Sequence, residues 1–180
     1  MRFVAAACAF ALLAACEKPA DEGRQASESD ADSSEVAGST IAAAAAKPLS
    51  KEAALKLMHD RHENMEKIGD ATKAAGRSLK SGSPDIAVIR TSAATIAGLA
   101  PKVPSWFPAG TGPDVGKTEA KAEIWQKPED FAVRSRDFAK AALAFEAAAK
   151  AGDMASVQAR FGELGKTCKG CHDPYREDDH

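Results

Sequence analysis

Beyond residue 47 the chain has no run of alternating apolar and polar residues, which argues against β-strands and so against sheet-built folds. Its longest apolar run, Phe3 to Ala15, is too short to span a bilayer as a stable helix. Charge of one sign is not in excess either. Taking Arg2, together with the three bases and seven acids of residues 17–47, from whole-chain totals of 24 and 26 leaves 20 bases against 19 acids. A balance that close gives no case for binding nucleic acid. Cysteine is scarce, with four in 180 residues and one close pair, Cys168 and Cys171. A structural zinc site needs four ligands, and the other histidines, His59, His62 and His180, come without a second cysteine pair. A thioredoxin-like dithiol needs a βαβ setting that the sequence does not offer.

What is present begins at the first residues. Arg2 precedes the apolar run where a secretory h-region belongs, so residues 1–15 read as a signal peptide and the chain as exported. The run closes with Leu13-Ala14-Ala15-Cys16, which resembles the bacterial lipobox, in which cleavage precedes a cysteine alkylated with diacylglycerol. That resemblance implies a mature chain beginning at a lipidated Cys16 and anchored to a membrane by several acyl chains, since one chain gives only marginal binding. An ordinary signal peptide with a coincidental cysteine is the alternative. Residues 16–47 are rich in Ala, Ser, Asp and Glu and have no aromatic side chain to bury. They read as a disordered tether with a reach on the order of 30 Å.

Residues 48–180 read as one domain of four amphipathic helices. The first is expected to open at Ser50 as N-cap and to run to about Lys80, with Leu55, Met58, Met65, Ile68 and Thr72 inward and Arg61 one turn before Met65 on the same face. The second is expected to take Ser83 as cap and Pro84 at its first position, to bury Ile86, Ile89, Ala93 and Ile96, and to stop before Pro101. From Pro101 to Lys127 the periodicity fails, and a long crossover is expected, pinned to the domain by Trp106, Phe107, Ile124 and Trp125. The third helix starts near Pro128 with Phe131, Phe138 and Phe145 seven apart as core. The fourth starts at Asp153 and carries Val157, Phe161, Leu164, Cys168, Cys171 and His172 along one stripe.

That stripe ends in Cys168-Lys169-Gly170-Cys171-His172. Cys-x-x-Cys-His is the spacing at which two thiols add to the two vinyl groups of one haem while the following imidazole reaches the iron. At this chain's Cys and His frequencies the pentad would arise by chance in about two sequences per thousand, so it is a strong signal. One covalent haem c is therefore expected. Only eight residues follow His172 and none is methionine, so a protein sixth ligand has to come from upstream or from His180. His180 is a poor choice at a frayed end. Met154 sits on the same helix roughly 27 Å from His172 and cannot reach the same iron. Met58 and Met65 remain, about 10 Å apart along one face. Arg61 favours Met65, because a haem brings two propionates whose burial calls for a cation. Core filling for Met65 and a surface charge for Arg61 stand as the plainer alternatives.

These residues resemble the class II cytochromes c, the family that includes cytochrome c prime. The resemblance spans residues 50–176 and rests on Arg61-x-x-x-Met65 with Ile68-Gly69, Trp106-Phe107-Pro108-Ala109-Gly110-Thr111, Ile124-Trp125 with Phe131, and Cys168-x-x-Cys171-His172 with Tyr175-Arg176. It implies an all-α fold, an antiparallel four-helix bundle enclosing one haem c attached through Cys168 and Cys171 and ligated by His172. It further implies that Arg61 approaches a propionate, that Trp106 lies in the cofactor's surroundings and that Arg176 lies near the proximal imidazole. In some members the position matching Met65 packs over a five-coordinate iron, and in others a methionine there binds it. Members often pair through their first two helices, which leaves a homodimer open.

The function expected from the sequence is electron transfer with redox partner proteins by a membrane-tethered periplasmic cytochrome with His172 and Met65 as axial ligands. The alternative is a five-coordinate protein that binds nitric oxide or carbon monoxide. Enzymatic activity is not expected, since His62 points about 100° away from Arg61 on the helix and leaves no positioned acid–base group on the distal side.

Overall fold

Ser50 starts the first helix by accepting from the Ala53 N–H at 3.2 Å, and Glu52 in the first turn with Arg77 and Lys80 in the last suit the helix dipole. The computed structural model describes residues 48–178, so the expected signal peptide 1–15, the lipidated Cys16, the tether 16–47 and His180 lie outside the described residues. Helix α1 spans Lys51–Lys80 and α2 spans Ile86–Leu99. A 3₁₀ turn, Ala100–Trp106, and a short helix α3, Glu123–Gln126, interrupt the crossover. Helices α4, Pro128–Ala151, and α5, Met154–Tyr175, complete the bundle.

The caps explain most of these boundaries. Pro128 stands at the first position of α4, where its missing N–H costs nothing. Gly152 closes α4 with φ 82°, a left-handed conformation that favours glycine. Arg90 of α2 donates to the carbonyls of Ala149 at 2.9 Å and Lys150 at 3.2 Å, satisfying the end of α4 from across the bundle. Asp153 then accepts from the Ser156 N–H at 3.2 Å and opens α5.

Two expectations need correcting. Asp85, not Ser83, caps α2, and the helix begins at Ile86 beyond Pro84. The Asp85 carboxylate reaches both the Ala87 and Val88 N–H groups at 2.8 and 3.3 Å, while Ser78 at the end of α1 holds the Asp85 backbone. Leu55, expected inward, is 41% exposed. Its methyl rests on the crossover at Gly116, where a Cβ would come within 2.6 Å, so the leucine covers a loop and not the bundle centre.

Helix α1 packs along α2, α2 along α4 and α4 along α5. Phe145, Ile89, Ile96, Leu164 and Val157 are fully buried between them, each worth about 1.5–3 kcal/mol for the side chain removed from water. Alanines 75, 93, 142 and 149 have no exposed surface and let the helices approach closely. The fourth seam, between α5 and α1, is not packed along its length as the other three are. Among the described residues there is no β-strand, only an isolated bridge between Ala120 and Arg176.

Candidate functional site

Cys168, Cys171 and His172 lie within one turn of α5, on an arc of about 100°. Both cysteines are free thiols, half-buried against the core. Burial raises the Cys168 pKa, and it pushes Cys171 up to about 11 despite the nearby Arg134 cation. Burial thus favours the neutral thiol over the thiolate at both positions and lends no support to a redox dithiol. The His172 pKa is lowered, first by burial against the helix end and then by the positive charge of Arg176 one turn on. Its outer edge is nevertheless open to solvent.

What faces this turn follows from two contacts that tie α1 to α5. Toward one end of the bundle a Cβ on Gly76 would meet the Phe161 ring tip at 3.3 Å, so the two helices touch there. Toward the other end both helices grip adjacent residues of the crossover. Arg61 donates to Thr118 Oγ1 at 3.0 Å, and Arg176 donates to Glu119 Oε2 at 2.8 Å. The helices are therefore antiparallel. Met65 lies eleven residues before Gly76, and His172 eleven after Phe161. Counted from the other tie, Met65 lies four residues after Arg61 and His172 four before Arg176. Both counts place Met65 and His172 at one level of the bundle, to within about a turn. Eleven residues is also close to three full helical turns, so each returns to the side on which Gly76 and Phe161 meet. By these counts both residues fall along the α1–α5 seam, where Met65 is half-buried and His172 exposed.

Arg61 is 4% exposed, the most deeply placed cation among the described residues. Its guanidinium donates to the carbonyls of Trp106 at 3.4 Å and Thr111 at 3.2 Å and to the hydroxyls of Thr111 at 3.3 Å and Thr118 at 3.0 Å. It lies 4.6 Å from the Phe107 ring centre and 5.8 Å from that of Trp125. Trp125 is fixed in turn by its indole N–H, which donates to the carbonyls of Phe107 and Pro108. Burial lowers the Arg61 pKa, but a guanidinium does not lose its proton in proteins. No carboxylate of the described residues pairs with it, so a full positive charge is buried among neutral oxygens and ring faces.

The structure brings Cys168, Cys171, His172 and Arg176 together at the end of α5 and sets Met65 and Arg61 on α1 along the facing seam. Trp106 meets Arg61 through its carbonyl, while its half-buried side chain packs on the core. Sequence reasoning missed Thr118, Asp130 and Arg134. The Asp130-x-x-x-Arg134 spacing was a signal for the last two, since charges four apart on a helix pair.

An unbalanced cation at the mouth of a seam that carries two thiols, an imidazole and a methionine is the environment a haem and its propionates complement. Fold and site together define a helical-bundle haem protein whose cofactor is attached to the last helix. The chain belongs to the cytochrome c prime family of class II cytochromes c, for the family pattern described as Cytochrome C' matches residues 56–176. Its cofactor is one covalently attached haem c.

Relatives bear this out. The cytochrome c' of Pararhodospirillum photometricum is 38% identical over 117 residues, covering 65% of this chain and 93% of that one. Cytochrome c-554 of Cereibacter sphaeroides is 34% identical over 129 residues, covering 69% and 95%. Among solved structures, cytochrome c prime from Shewanella frigidimarina superposes with a TM-score of 0.65 at 36% identity, over 69% of this chain and 97% of that one. A nitric oxide complex of a mutant cytochrome c prime from Alcaligenes xylosoxidans superposes with a TM-score of 0.62 at 27% identity, over 74% and 100%.

Proposed function

We propose that the protein carries single electrons, with His172 and Met65 as the two axial ligands of its haem. The observation that carries this reading is the register of α1 against α5: counted from two separate ties, Met65 and His172 come at about one level along the same seam. The haem supplies a one-electron ferric–ferrous couple. The chain's residues do the rest: Cys168 and Cys171 hold the group, Arg61 offers a propionate a buried cation, and Trp106 and Phe107 wall that end from water. Two protein ligands keep the geometry similar in both oxidation states, and a thioether raises the potential relative to a second nitrogen donor. The role is that of a carrier and not of an enzyme, exchanging electrons with partner proteins in the periplasm. Lipidation of Cys16 would hold it at a membrane and leave it a swing set by residues 16–47.

The test is spectroscopic. The ferric protein should show a near-infrared charge-transfer band from the methionine sulfur, and Met65→Ala should abolish it and convert the iron to high spin. A high-spin ferric spectrum in the wild type would refute the assignment.

A second reading is favoured by the nitric oxide complexes solved for the Alcaligenes xylosoxidans relative. Here Met65 packs over the distal side without binding, and the protein takes up nitric oxide or carbon monoxide. Rapid carbon monoxide binding to the reduced protein separates this reading from the first, which expects binding only as fast as Met65 leaves. A structural relative described as having a ligand-controlled dimer dissociation makes a homodimer of this chain part of the second reading.

A further inference from the structure

Pro174 stands inside α5, two residues after His172. Proline has no N–H, so the carbonyl four residues earlier loses its helical donor, and the ring pushes that carbonyl out of line. The carbonyl belongs to Gly170, between the two attachment cysteines. A donor from another helix fills the gap: Arg134 of α4 donates from Nη1 to Gly170 O at 2.6 Å.

Arg134 is itself held on two sides. Its Nε donates to Asp130 Oδ2 at 2.6 Å, and the same oxygen accepts the Tyr175 hydroxyl at 2.5 Å. The guanidinium carbon is 5.9 Å from the Tyr175 ring centre, and that ring meets Phe131 edge-on at 5.5 Å. Gly170 stands one turn before Pro174 and Tyr175 directly after it, and α5 runs unbroken through all three. Arg134 and its partner Asp130 on α4 therefore grip both ends of this turn, with Cys171 and His172 in between.

We propose that Arg134 is a positioning residue for the haem-bearing turn: it supplies the hydrogen bond that Pro174 cannot make and so fixes the plane in which the His172 imidazole meets the iron. An exposed arginine paired with an i−4 aspartate ordinarily contributes little. Here the carbonyl that Pro174 deprives of its usual i+4 donor gives the arginine a further task. The inference rests on the reading that His172 is an axial ligand.

The experiment is a cycle in the holoprotein, read by electron paramagnetic resonance of the ferric iron, whose line positions follow the imidazole plane. Arg134→Met removes the donor, and Pro174→Ala returns the missing N–H to Gly170. Arg134→Met alone should split or broaden the wild-type signal and shift the reduction potential. In the Pro174→Ala background the same substitution should leave a single species, because the helix then satisfies Gly170 itself. If Arg134→Met does not mature, Arg134→Lys serves, with a partial broadening that Pro174→Ala suppresses. An unchanged signal in the arginine variant, or equal broadening in both backgrounds, overturns the proposal. His172→Ala separates the two levels of the argument: an altered spectrum there beside an unaltered Arg134→Met overturns the arginine's role alone, and an unaltered one overturns the axial assignment and this inference with it.

Discussion

Removing the buried cation of α1 tests how the crossover is held. Arg61→Met keeps most of the side-chain length and deletes every donor. Thr118 Oγ1 keeps a partner, since it also accepts from the Ala120 N–H at 3.2 Å, and Thr111 Oγ1 keeps its own bond to Pro108 O at 2.8 Å. The Thr111 carbonyl does not. It accepts from both Nη1 and Nη2 at 3.2 Å, in a residue with no exposed surface. An orphaned buried carbonyl costs about 1–3 kcal/mol, and the lost charged hydrogen bonds and ring contacts add to that. Relief from burying the guanidinium offsets part of the loss. The net expectation is a destabilisation of about 2–4 kcal/mol, or roughly 10 °C in Tm for a domain of this size. Arg61→Lys should recover less than half, because a single ammonium cannot reach Thr111 and Thr118 together. Urea unfolding of the holoprotein followed at the haem band measures the shift, with an unchanged slope certifying a common denatured state. A loss under about 0.5 kcal/mol in Arg61→Met would refute the account of how the crossover is anchored. On the proposed approach of Arg61 to a haem propionate, the reduction potential of the same variant should fall, because a positive charge is removed.

The α1–α5 seam and the single tyrosine give two further tests. Gly76→Leu should force the two helices apart where Phe161 lies 3.3 Å from the Cβ position, costing about 1–3 kcal/mol and weakening the methionine band, whereas Gly69→Leu, with nothing within 4 Å, should leave that contact alone. Tyr175 is the chain's one tyrosine, so its ultraviolet phenolate signal titrates it alone. Burial, then its bond to the Asp130 carboxylate, pushes its pKa up to about 12 from 10.0. A raised folded-state value means stability present in full below pH 10 and lost as the pH climbs toward 12, and Tyr175→Phe should flatten that alkaline decline.

Helix starts were legible where a cap had no rival, as at Ser50, Pro128 and Asp153. They were misread at Ser83, because Asp85 two residues on bonds two N–H groups and Ser78 of the preceding helix fixes it in place. Periodicity put Leu55 in the core because a stripe on a helix does not say whether a neighbouring helix or a loop covers it. The attachment motif and the upstream search for a methionine were readable from spacing and elimination. The shared level of Met65 and His172 was not, since it depends on where Gly76 meets Phe161. Arg134 escaped notice for a related reason: its use is set by a proline forty residues away on another helix.

The seam between α1 and α5 joins the two helices of the described bundle that lie farthest apart along the chain. The other contacts, α1 with α2, α2 with α4 and α4 with α5, each join long helices that follow one another along the chain. Bringing the first and last helices together closes the longest loop of chain and so costs the most entropy of the four seams. A haem attached to α5 and held also from α1 would therefore act as a cross-link between the two most distant helices, closing the seam that side chains leave unpacked.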